Sequence, residues 1–114
     1  MSQDLSEDQV KKAVCDLLEA LKRQGKPVVW SRTNAGQIQT IDGYWIRLCE
    51  TGWPDITGIV AGDAVGIETK RPKTPKQRKT QTDMQEKWEF AGGIYLLVNN
   101  LEVLRAFLRE RGVL

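Results

Sequence analysis

"GWPDITGIVAGDAVGIETK", residues 52–70, sets Asp55, Glu68 and Lys70 into what otherwise reads as a pair of β-strands. "DITGIV" and "AVGIETK" flank a tight turn expected at Ala61-Gly62-Asp63, which makes the stretch a hairpin. Charged side chains are poor strand formers and expensive to bury without partners, so their presence here needs a reason. Glu68 and Lys70 are two apart and leave one face of their strand. A turn around Gly62 makes paired positions sum to roughly 124 or 125, which puts Asp55 opposite residue 69 or 70. The three charges converge.

The bland explanation is an exposed ion pair between Lys70 and one acid, worth well under about 1 kcal/mol. The Pro54-Asp55 pair, the strands on both sides and the basic segment directly after Lys70 favour chemistry instead. Two convergent carboxylates can hold a hard divalent cation, with waters and carbonyls completing the shell. Such a cation polarises a phosphoryl oxygen and acidifies a bound water, and a neighbouring ammonium stabilises charge developing on a phosphate.

Outward from the hairpin, Ser6-Glu7-Asp8-Gln9 is a capping box that opens a helix. Val10, Ala13, Val14, Leu17, Leu18 and Leu21 give that helix an apolar stripe, and Gly25 and Pro27 end it. "VVWSR" (28–32) and "YWIRL" (44–48) read as strands, with "NAGQIQTIDG" a loop or hairpin turn between them. A second capping box, Thr82-Asp83-Met84-Gln85, is expected to open a helix running to about Ala91. "IYLLV" (94–98) is a buried strand and "LEVLRAFLRE" an amphipathic closing helix. The predicted order is α-β-β-β-β-α-β-α, an α/β fold in one domain over residues 1–114.

Composition narrows the chemistry. The chain has no histidine, which excludes Ser-His-Asp and Cys-His triads, histidine-ligated zinc and HNH-type nucleases. Acid–base and metal work must run on Asp, Glu, Lys and backbone oxygens, which suit Mg²⁺ or Mn²⁺. Two cysteines are too few for a disulfide framework; no membrane span or secretory signal is visible, and a cytoplasmic protein is expected. Net charge is only +2, yet "KRPKTPKQRK" (70–79) carries six positive charges against an acidic N-terminal stretch, which marks a local anion-binding surface.

At Pro54-Asp55 and Glu68-Thr69-Lys70 the sequence resembles the PD-(D/E)xK nucleases, and more narrowly the virus-type replication-repair nuclease (VRR-NUC) family, which includes small stand-alone phage proteins. The likeness spans most of the chain. It includes an early Glu in the first helix, Arg32, Asn34 and Gly36 in an "R-x-N-x-G" loop, "G-x-P-D" at Gly52, Pro54 and Asp55, and "I-E-x-K". A Gln in the next helix, the glycine pair before a strand and the final "L-E-V-L" helix complete it.

The resemblance implies a restriction-endonuclease-like PD-(D/E)xK core, with a mixed β-sheet flanked by helices. It implies a metal-dependent deoxyribonuclease in which Asp55, Glu68 and the Thr69 carbonyl bind Mg²⁺ or Mn²⁺ and Lys70 is catalytic. It further implies a homodimer acting on branched, Holliday-junction-like DNA in the cytoplasm of a bacterium or phage-infected host. The same fold used as a non-catalytic DNA-binding module is the alternative.

Glu7 shares the inward stripe of its helix; it is either a favourable acid at a helix N-terminus or, as the family places one there, a metal-associated acid. Gln85 either completes the capping box or, with Trp88 as "Q-x-x-W", matches the glutamine motif that lines related sites. Arg71, Lys73, Lys76, Arg78 and Lys79 are expected to grip DNA phosphates independently of base sequence, with Arg32, Asn34 and Arg47 adding contacts. The four tryptophans are expected in core or interface, with Trp53, beside Asp55, open to a role at the site. Gly93-Ile94-Tyr95 imitates the opening of the GIY-YIG nucleases, but no second YIG strand follows, so this is a core strand.

Overall fold

The computed structural model describes residues 5–33, 37–72 and 78–114, so Asn34, Gly36, Lys73 and Lys76 lie outside the described residues. Helix α1 (Glu7–Arg23) opens as its capping box requires: the Ser6 hydroxyl accepts from the Gln9 amide at 3.1 Å, and the Gln9 side chain accepts from the Ser6 amide at 2.8 Å. It closes on Gln24 and Gly25, with Lys26 N–H donating to Leu21 O across the end. Its buried stripe is Val10, Val14, Leu18 and Leu21.

Strands β1 (Val28–Arg32), β4 (Ile56–Val60), β5 (Asp63–Thr69) and β6 (Ile94–Val98) form one sheet in the order β1-β4-β5-β6. The first two pairings are antiparallel, and β5 and β6 are parallel, joined through α2 (Lys79–Phe90). The mixed sheet flanked by helices is as expected. A further short strand, β2 (Gln37–Gln39), pairs with β3 (Trp45–Arg47) as a separate two-stranded ribbon. The order is therefore α-β-β-β-β-β-α-β-α, one strand more than the sequence suggested.

Alternation sorts the main sheet into two faces. Val28, Ile56, Val60, Val65, Ile67 and Val98 pack with the α1 stripe and with Leu104, Phe107 and Leu108 of α3 (Leu101–Glu110). Gly66 and Glu68 lie on the opposite face of β5, where Trp88 of α2 comes against Gly66, and Lys70 follows directly after the strand. No helix among the described residues is long and apolar enough to cross a membrane.

Two details correct the expected geometry. The β4–β5 turn contains only Ala61 and Gly62, both at positive φ, as two-residue hairpin turns of the primed type require, and Val60 pairs with Asp63. Ile56 thus faces Ile67, and extending the ladder sets Asp55 opposite Glu68 rather than residue 69 or 70. Helix α2 starts at Lys79, not at a Thr82 cap. Gln81 supplies the reciprocal bond, its side chain accepting from the Arg78 amide at 3.1 Å, while the Thr82 hydroxyl donates back to Arg78 O.

Candidate metal centre

Three chain segments deliver three carboxylates to one point. Glu7 comes from the first turn of α1, Asp55 from the residue before β4 and Glu68 from β5. One oxygen of each lies within 4.8 Å of the others. Asp55 is held from β5: its Oδ2 accepts from both the Thr69 amide and the Thr69 hydroxyl, each at 2.9 Å. Thr69, the proposed carbonyl ligand, is fully buried and thus orients the neighbouring acid through its two donors. Glu68 and Lys70 are both buried, at 3% and 8% exposure, a costly placement for two ionisable side chains without a purpose.

Local sequence explains the positioning. Gly66 has no side chain, so Pro54 and the Trp88 ring settle directly on β5; a Cβ there would lie 2.6 Å from Pro54 Cγ. That seats the Pro54-Asp55 step beside Glu68. Gly52, at φ +87°, passes so close to α2 that a Cβ would lie 2.4 Å from Thr80 O. The 51–53 segment is thereby pressed against the start of α2 and shapes a cleft over the acids.

That cleft has a volume of about 340 Å³ and includes Asp55 and Glu68 in its lining. Gln37 and Arg47 of the β2–β3 ribbon form part of its wall, and Arg78 and Gln81 part of another. Trp53 also lines it, with its ring in edge-to-face contact with Trp88 at 5.3 Å between centroids. Trp30 packs against the core instead, and Trp45 is exposed.

Comparison of the chain with family models, with curated proteins and with solved structures gave no match. The site must be read from its own chemistry.

Burial pushes the Glu68 carboxyl up to about 8, with a shared hydrogen bond and the charge of Asp55 adding to the effect. Lys70 and the Tyr95 hydroxyl, 3.4 Å from Glu68 Oε2, oppose it without reversing it. Glu68 therefore carries a proton at neutral pH in the metal-free protein. The raised value stabilises the fold fully below about 4.5, and that contribution is lost as pH rises through about 8. Each unit in that window costs on the order of 1 kcal/mol. Glu68→Gln, which cannot ionise, should show a weaker fall in melting temperature between pH 5 and 8 than the parent protein. Equal slopes would remove Glu68 as the source.

The other expected site residues are distributed unevenly. Arg78 lines the acid cleft, whereas Arg32 lines a neighbouring cleft with Asp8, Lys11, Lys12 and Cys15. Arg71 is exposed, and Lys79 is also exposed and pairs with Asp83 on its own helix. The Gln85 side chain donates to Glu89 at 2.9 Å; Gln81, one turn earlier, is the α2 glutamine that lines the acid cleft. Sequence reasoning missed Lys11, whose ammonium lies 3.7 Å from Asp55 Oδ1. Its signal was available: it is one helical turn after Glu7, on the same face.

Proposed function

We propose that this chain is a divalent-metal-dependent DNA endonuclease of the VRR-NUC type, with Glu7, Asp55 and Glu68 as its metal ligands. The observation carrying this reading is the convergence of three carboxylates from three elements, one of them buried, beside a buried lysine. The donor set is all oxygen and fits a hard cation such as Mg²⁺ or Mn²⁺. Bound there, the cation supplies Lewis acidity toward a phosphodiester and lowers the pKa of a water.

The protein's own groups have separable tasks. Thr69 fixes the Asp55 carboxylate through two hydrogen bonds, so the ligand is oriented before metal arrives. Glu68 gives up its proton as it becomes an anionic ligand. Lys70, two residues after Glu68 and just past the end of β5, stabilises negative charge on the phosphate in the transition state. Arg47 and Arg78 in the cleft lining attract the DNA backbone without reading its sequence.

The decisive experiment is a cleavage panel of linear duplex, flap and four-way junction DNA with Mg²⁺, Mn²⁺ or chelator. Metal-dependent cutting is expected, with the junction preferred. DNA binding without cutting under any metal would replace the enzyme with the binding module.

The homodimer belongs to the same proposal and has its own support. Ile38 and Ile46 are directly paired in the β2–β3 ribbon, and Tyr44 and Leu48 alternate with them; all four are exposed. A lone two-stranded ribbon is marginal in water, and an uncharged apolar face can cover a copy of itself without burying charge. Sedimentation at micromolar concentration should give about twice the chain mass, and Ile46→Asp should halve it. A parent protein that sediments as a monomer would remove the dimer while leaving the acid site untouched.

A further inference from the structure

Lys11 and Asp55 form an ion pair that joins two clefts. Asp55 lines the acid cleft, and Lys11 lines the neighbouring one of about 470 Å³ with Lys12 and Arg32. The ammonium addresses Asp55 Oδ1, while both Thr69 donors converge on Oδ2. Lys11 therefore engages the oxygen that Thr69 does not use. The pair is only partly shielded, with the two side chains 18% and 21% exposed. An ammonium and a divalent cation beside the same Asp55 carboxylate repel each other, and the doubly charged competitor, bound closer to the oxygens, prevails. The four-carbon stem of lysine lets its charge move away without disturbing the helix.

We propose that Lys11 is the resident counter-cation of the Glu7–Asp55–Glu68 trio, displaced by an arriving divalent metal into the neighbouring cleft. The inference rests on the metal reading above and deepens it. Displacement frees the Lys11 ammonium within a cleft it already lines with Asp8, Lys12 and Arg32, where Lys12 is paired with Asp16, and so adds one unpaired positive charge there for a phosphodiester backbone. Metal occupancy thereby strengthens the grip on a polyanion at a cleft adjoining the metal itself. Lys11 acts by positioning charge; it takes no part in bond breaking.

Mn²⁺ binding to the DNA-free protein, followed by calorimetry, tests this without recourse to cleavage. Lys11→Met and Lys11→Gln should each bind Mn²⁺ about tenfold more tightly than the parent chain, a coupling of ordinary size. Lys11→Arg, which keeps the charge, should bind as the parent does. A second measurement follows the salt dependence of duplex binding with Ca²⁺ or with chelator. With Ca²⁺ the parent chain should show about one more phosphate contact than Lys11→Met, and with chelator the two slopes should coincide. Unchanged or weaker Mn²⁺ binding in both neutral variants, beside a parent that binds normally, overturns the inference alone. Equal slopes in Ca²⁺ overturn displacement into the neighbouring cleft. A parent chain that takes up no Mn²⁺ overturns the metal reading itself, and this inference with it.

Discussion

Asp55→Asn and Glu68→Gln should each abolish cleavage while leaving the protein folded. Each removes an anionic oxygen from the trio and little else. Asparagine keeps a carbonyl that can accept from the Thr69 amide and hydroxyl, so the Asp55 loop stays anchored. Glutamine resembles the protonated carboxyl that Glu68 already presents at neutral pH, so Glu68→Gln should match or exceed the parent in stability near pH 8. What glutamine cannot do is release a proton and become an anionic ligand. The loss of activity should far exceed the roughly 100-fold that follows removal of an outer-shell partner. Cleavage rates and Mn²⁺ affinity, measured with melting temperature as the control, check this. Unchanged cleavage by both folded variants would remove the proposed active site.

Lys70→Ala should lower single-turnover cleavage by about 10²–10³-fold, in line with loss of one electrostatic stabiliser of a developing anion. DNA affinity should weaken only mildly, because a side chain with 8% exposure offers little of itself to a ground-state backbone. The variant should fold, since the neighbouring Glu68 is neutral in the metal-free protein and loses no obligatory partner. Comparing the single-turnover rate at saturating DNA with the dissociation constant separates the two effects. A loss confined to affinity would move Lys70 into the set of phosphate-gripping cations and leave the chemical step to other groups.

Much of this arrangement was legible because it is local. The capping box of α1, the apolar run of β6 and the paired strands around Gly62 all announce themselves within a few residues. The expected hairpin register differs by one or two residues because it counts Asp63 in the turn, whereas Ala61 accepts a positive φ and frees Asp63 for β5. The start of α2 was hidden for a different reason. Arginine is not a capping residue by its side chain, so nothing at Arg78 signalled an N-terminus; Gln81 does the capping from inside the helix. That shift brings Gln81, not Gln85, to the acid cleft. The roles of Gln37 and Tyr95 depend on which elements meet in space, and no local pattern carries that information.

The trio also has a consequence for when the protein becomes competent. Asp55 and Glu68 are joined by a short hairpin and come together as soon as it closes. Glu7 belongs to α1, the first element of the chain, held to the sheet by a stripe of four buried aliphatic side chains. A chain in which α1 has detached keeps two acids in place and lacks the third. Lys11 leaves with the same helix, so ligand and counter-charge arrive or depart as one unit. On the proposed metal reading, folding itself acts as a safety catch: a nascent or partly unravelled chain carries the hairpin's pair of acids, but only the fully docked one brings all three acids together.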